Sequence, residues 1–112
     1  MKGIILGILL LVGMPSVALA EKQSGVVKGY IPYSSGGKEI LIFNTTNSVA
    51  IGCNATARFA IDNTSLRYKA TLSVVIAAFH SQKEIVVDYL PSCNVWGNAA
   101  DIRYICIGEI AC

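Results

Sequence analysis

The chain has 112 residues, 54% hydrophobic and 14% charged, with nine Lys and Arg against seven Asp and Glu. A formal charge of +2 provides no long-range field for nucleic acid or anionic lipid, and the length allows one small domain. Four cysteines and a single histidine leave little from which to build a metal centre.

Residues 1–20, MKGIILGILLLVGMPSVALA, carry Lys2, an apolar run from Ile4 to Val12, a break at Pro15-Ser16, and small residues at Ala18 and Ala20. This is the pattern of a cleavable signal peptide, too short for a stable spanning helix once Pro15 is allowed for. The mature domain is expected over residues 21–112, secreted or periplasmic and without membrane insertion. Lys2 leaves with the signal, so charge is nearly balanced in what remains. An even number of cysteines in a small exported chain reads as two disulfides.

SGVVKGYIPYS (Ser24 to Ser34) is rich in β-branched and aromatic residues and predicts a first strand. SSGG (Ser34 to Gly37) is a turn, and KEILIFN (Lys38 to Asn44) is an apolar run of strand length, so the two form a hairpin. ATARFAID (Ala55 to Asp62) alternates with period two: Ala55, Ala57, Phe59 and Ile61 on one face, Thr56, Arg58, Ala60 and Asp62 on the other. DNTS then predicts a helix cap. From Leu66 to Phe79 the apolar residues fall on two helical rows, Leu66, Ala70, Val74 and Ala77 beside Tyr68, Leu72, Val75 and Phe79. KEIVVDYL (Lys83 to Leu90), ended by Pro91, is a fourth strand, PSCNVWGNAA a loop, and DIRYICI (Asp101 to Ile107) a fifth. Three strands, one helix and two strands suit a mainly β fold, a five-stranded Greek-key barrel with the helix plugging one end, stapled by disulfides. A three-plus-two α+β sheet is the alternative.

Pairing Cys53 with Cys93 would close a loop across the helix and leave Cys106 with Cys112 around Gly108. Cys93 with Cys106 and Cys53 with Cys112 is the other arrangement, and spacing does not choose between them. Trp96 is either a lid on the core beside a disulfide or an exposed platform.

Catalytic patterns are thin. His80 falls in the last turn of the helix, where it complements the helix dipole. Glu84 and Asp88 share a strand face but read as solvated surface, and SSGGKE lacks the spacing of a phosphate loop. The triplets at Asn44, Asn54 and Asn63 read as loop asparagines and a helix cap. No enzyme, cofactor or metal is expected. Tyr30, Tyr33 and Tyr89, with the serines of the first strand, carry the hydroxyl and aromatic groups a carbohydrate site uses.

SGVV at Ser24 to Val27, SLRYKATLSVVIAAFHSQKEIVVDYLP from Ser65 to Pro91, a tryptophan soon after and a closely spaced terminal cysteine pair together resemble the receptor-binding B subunits of subtilase cytotoxin and typhoid toxin, in the pertussis-like toxin B-subunit family. The resemblance implies an oligonucleotide/oligosaccharide-binding (OB) barrel, a homopentameric ring, sialylated host glycans as ligands, and a separate toxin A subunit. It places Ser24 at the sialic-acid carboxylate and Tyr89, in DYLP, where the family closes the site; Tyr30 and Tyr33 are expected nearby. The two apolar rows of the helix fit helices that meet around a pore. The competing expectation is a stand-alone exported barrel that binds a protein partner and no glycan.

Overall fold

The computed structural model describes residues 20–112, so the predicted signal peptide, but for Ala20, lies outside the described residues. Strands β1 (Glu21–Ser35), β2 (Lys38–Thr45), β3 (Phe59–Asp62), β4 (Glu84–Tyr89) and β5 (Ala100–Ile107) form one sheet, and the helix α1 (Tyr68–Ser81) joins β3 to β4. The chain is therefore mainly β with one helix, in the order the sequence predicts. The strands are bonded in the order β1-β2-β3-β5-β4, and β4 pairs back onto β1, so the sheet closes on itself. The β3–β5 join is parallel and only two residue pairs long, Phe59 with Ala100 and Ala60 with Asp101.

Closure depends on β1, which spans 15 residues and serves two neighbours. Its first part, Glu21 to Val26, pairs with β4, and Val27 to Ser35 pairs with β2. The register shifts between Val27 and Gly29, the kind of irregularity that bends a strand and increases its twist. Just before it, Gly25 lies under the chain leaving β2: a Cβ there would sit 2.9 Å from Thr46 Oγ1 and 3.1 Å from the Asn47 nitrogen. The approach needs glycine. At the far end the hairpin turns through Gly36 and Gly37 at φ 59° and 79°, as a two-residue type I′ turn requires.

The interior is filled by Val27 from β1, Leu41 and Phe43 from β2, Phe59 and Ile61 from β3, Ile85, Val87 and Tyr89 from β4, and Ala100 from β5. Phe59 packs against both Phe43 and Tyr89, with ring centroids 5.4 and 5.5 Å apart. A second cluster covers the outer side of β2 and β3: Ile40, Ile42, Ala60 and Ala99, with Val95 and Trp96 laid over them. Burial on both faces explains why ILIF runs apolar without alternating. It also corrects the third strand, which begins at Phe59 rather than Ala55. Residues 55–57 are turn and bend, with Ala57 at φ 54°, and Ala60 and Asp62, on the second face of the alternation, are buried as Phe59 and Ile61 are.

Of the two helical rows, one packs. Tyr68, Val75 and the neighbouring Thr71 and Ala78 are buried, and Leu72 and Phe79 lie against the core. Leu66 falls before the helix and is fully exposed, Ala70 and Ala77 are exposed, and Val74 is half-buried. The DNTS cluster forms the preceding turn instead of a cap. Asp62 accepts bonds from the Thr64 amide and hydroxyl, Ser65 Oγ accepts from the Arg67 amide, and the N-cap residue, Arg67, makes no side-chain capping bond. Nor does Asn63 cap: its Oδ1 accepts the Glu39 amide.

Cys53 is bonded to Cys93 and Cys106 to Cys112, with sequence separations of 40 and 6. The first closes a loop that contains β3, α1 and β4, so by chain entropy it should contribute on the order of 4 kcal/mol, the terminal one roughly 2. Denaturant titration of C53A/C93A and C106A/C112A should show the larger loss in the first. Alkaline pH provides a second test. Burial, and secondly the Glu39 carboxylate, hold the Tyr68 phenol above its ordinary value of 10.0. The folded state thus favours the protonated phenol, a contribution present below pH 10 and lost as pH rises through the folded value. Y68F should lose less stability than the parent above pH 10.

Candidate functional site

The four expected glycan contacts lie in different places. Ser24 pairs with Val86 and Tyr89 with Glu21, an odd offset along the same strand pair, so their side chains leave opposite faces of the sheet. Tyr89 is the inner one: it is buried, and its hydroxyl oxygen accepts a bond from Gln23 Nε2 at 3.0 Å. Tyr30 also turns inward, edge-on to Phe79 at 5.5 Å. Tyr33 is exposed on the outside, edge-on to Trp96 at 5.5 Å. Trp96 is thus the packed lid of the two readings, with Tyr33 against its rim.

The outer face around Ser24 is polar and charged. Ser24 is half-buried, and Val86 and Cys106 continue its cross-strand row. Two residues along, Lys22 faces Asp88, which faces Tyr104. Asp88 is 2% exposed and not the solvated surface acid expected. Lys22 Nζ lies 3.5 Å from its Oδ2, and Arg103 Nε 3.3 Å from its Oδ1. That second contact is an ion pair without hydrogen-bond alignment, since among the described residues Oδ1 has no donor of proper geometry. Two cations therefore share one carboxylate, and both keep about half of their side chains in solvent.

Elsewhere on the molecule lies a cleft of about 440 Å³. The turn before β3 supplies Ile51, Cys53 and Asn54; the exit of β4 supplies Tyr89 to Cys93; Glu21 and Ala100 complete it. The Cys53–Cys93 disulfide joins the two walls. Gln23 sits behind, its Oε1 accepting the Val49 amide while its Nε2 holds Tyr89. Asn54, also buried, is spoken for on its oxygen side, where Oδ1 accepts the Arg58 amide at 2.9 Å.

One residue that sequence reasoning missed builds the far wall. Asp101 is buried at the start of β5, and its carboxylate accepts from Ser92 Oγ at 2.6 Å and from the Asn94 and Val95 amides at 2.9 to 3.0 Å. Backbone bonds from Asp101 to Ser92 and from Leu90 to Asp101 complete the clamp. The loop is thereby held with Cys93 toward Cys53 and with Val95 and Trp96 over the second cluster. The available signal was an acidic residue opening an apolar strand next to a loop rich in unpaired amides.

Comparison of the chain with protein-family models, with curated proteins and with solved structures finds no match. A function must therefore be read from the chain's own geometry. Replacing Asp101 by Asn removes one acceptor oxygen from a buried clamp and should destabilise by about 1–3 kcal/mol. Chemical denaturation followed by Trp96 fluorescence checks this, with a shifted folded-state emission expected as the lid loosens.

Proposed function

We propose that this chain is an exported, non-enzymatic sugar-binding subunit of the toxin B-subunit type, with an OB-like barrel, that recognises sialylated glycans on its outer β1–β4–β5 face and works as a ring. The observation that carries the reading is the placement of the half-buried Ser24 on one face with Lys22 and Arg103. A sugar carboxylate approaching the serine hydroxyl meets two cations that share a single buried counter-charge, and charge-assisted hydrogen bonds to a carboxylate are the strong ones. With exposed Glu84 on the same face beyond Val86, selection of an anionic ligand would come from the position of Lys22 and Arg103 at one end of that face, not from a net charge. Tyr89 and Tyr30 are not part of this contact, and Tyr104, opposite Asp88, lies under the Arg103 guanidinium and lines the groove toward the helix.

Strand order supports the fold assignment. A closed sheet in the order β1-β2-β3-β5-β4, with the helix between β3 and β4, is compatible with a five-stranded OB barrel. Two open strand edges support the ring. Among the described residues, β1 is bonded from residue 28 to Ser35 to β2 on one side only, and β5 from Ile102 to Ile107 to β4 on one side only. Exposed edges of this kind invite pairing with another chain. One edge on each side of a molecule suits head-to-tail contacts, which close into a ring when the rotation allows. Ile31 and Tyr33, each 45% exposed, lie along the first edge, and the outward helix row with Ala70 and Val74 borders a groove onto Tyr104 and Ile105 at the second. A ring would turn weak single-site affinity into avidity, and its pore side would be where a separate A subunit docks.

A glycan array on oxidised, refolded protein tests the reading. Sialosides should bind, S24A should abolish that signal with thermal stability nearly unchanged, and K22A/R103A should weaken it with a marked loss of salt sensitivity. Sedimentation should report an oligomer. A monomer without sialoside signal would favour the stand-alone reading, in which Ile31, Tyr33 and their edge receive a protein partner.

A further inference from the structure

The cleft bridged by the Cys53–Cys93 disulfide differs in chemistry from the Ser24 face. Its lining holds a carboxylate, Glu21, and no lysine, arginine or histidine side chain, whereas the outer face carries Lys22 and Arg103. Glu21 is exposed, and no ion pair is formed by it among the described residues. The Tyr89 hydroxyl already accepts from Gln23, which leaves its proton to donate. Asn54 has its oxygen engaged by Arg58, which leaves its amide nitrogen as the group with donors to offer. Between these polar groups the walls are apolar: Ile51, Pro91 and the disulfide.

We infer that this cleft is a second sugar site, for a neutral pyranose. The ligand that matches an acceptor carboxylate, two donors and flanking apolar walls is a ring with vicinal hydroxyls on its rim and C–H groups on its faces. A carboxylate can accept from two adjacent hydroxyls, a donor pair can return bonds to ring or hydroxyl oxygens, and Ile51 and Pro91 cover the apolar face. The volume, about 440 Å³, lies within the range of small-ligand sites and leaves room for one ring and part of a second. The wall is also pre-formed. The disulfide fixes Cys93 to Cys53, and the Asp101 clamp fixes the residues between Ser92 and Val95, so binding orders little new chain. The inference rests on the reading of the protein as a sugar-binding subunit, but not on sialic acid as its ligand.

The test is an amide chemical-shift titration of the oxidised, labelled protein with the methyl glycosides of glucose, galactose, mannose and N-acetylglucosamine, and separately with sialyllactose. At least one neutral glycoside should shift the amides of Ile51, Asn54 and Cys93 and leave those of Ser24 and Val86 in place. E21A, at an exposed position, should weaken that binding about tenfold without loss of stability, the scale of a lost charge-assisted bond. E21Q should weaken it less, since it keeps an acceptor oxygen. S24A should leave it unchanged. Shifts from sialyllactose confined to the Ser24 face, with none from any neutral glycoside, would overturn the cleft inference and leave the sialoside reading standing. Cleft shifts without any response to sialyllactose would do the reverse. Neutral-sugar binding unaffected by E21A would overturn the assignment of the site.

Discussion

The closing contact between β1 and β4 is the constraint on which the rest of the structure depends. A strand of ordinary length could pair with β2 or with β4, but not with both in succession; β1 does so because it is long and bends at the Val27–Gly29 irregularity. Gly25 lets the chain leaving β2 pass close to the bend. Without that contact Tyr89 and Val87 would have no opposite wall and Glu21 would not stand at the cleft. Among the described residues, the same division of labour leaves the second half of β1 with one bare edge, as the short β3 leaves β5. Closure of the single chain and the openings through which it could meet another are consequences of one strand's geometry.

The outward and inward sides of β1 and β4 carry opposite chemistry because the backbone alternates. Lys22, Ser24, Val86 and Asp88 leave one way; Glu21, Gln23, Gly25, Val87 and Tyr89 leave the other. A cationic patch and an acidic, partly apolar cleft thus arise within a few residues of each other without being a single site. Buried Asp88 holds Lys22 and Arg103 near each other, and that arrangement is more demanding than a surface pair. Removing the carboxylate would leave two cations crowded without compensation.

Much of the architecture was legible in the sequence. Element type and order were set by apolar runs bounded by turn residues, and the SSGG hairpin followed from glycine's access to positive φ. The helix displayed two apolar rows, and sequence could not say which would pack, since both satisfy the same periodicity; the core chose the one with Tyr68, Val75 and Phe79. The third strand failed for a different reason. Ala55 and Ala57 continue the alternation on paper, but alanine carries too little apolar surface to hold a strand, and the chain turns at Ala57 instead. The site was the least legible part. A linear pattern gives each residue a type and a face, and Ser24 and Tyr89 were grouped through a resemblance; register across β1 and β4 separates them. Asp101 escaped notice because its partners are mostly main-chain amides of a loop, which leave no pattern of side chains to read.

The Cys53–Cys93 bond is at once a wall of the cleft and a brace of the fold. In a thiol-rich compartment that wall would come apart, with two free sulfurs where the covalent crosspiece now stands. The hollow exists in this form only where thiols are oxidised. On the proposed reading, competence to bind sugar there would be acquired on export, and a newly made chain would need no separate regulator to keep it from engaging sugars before then.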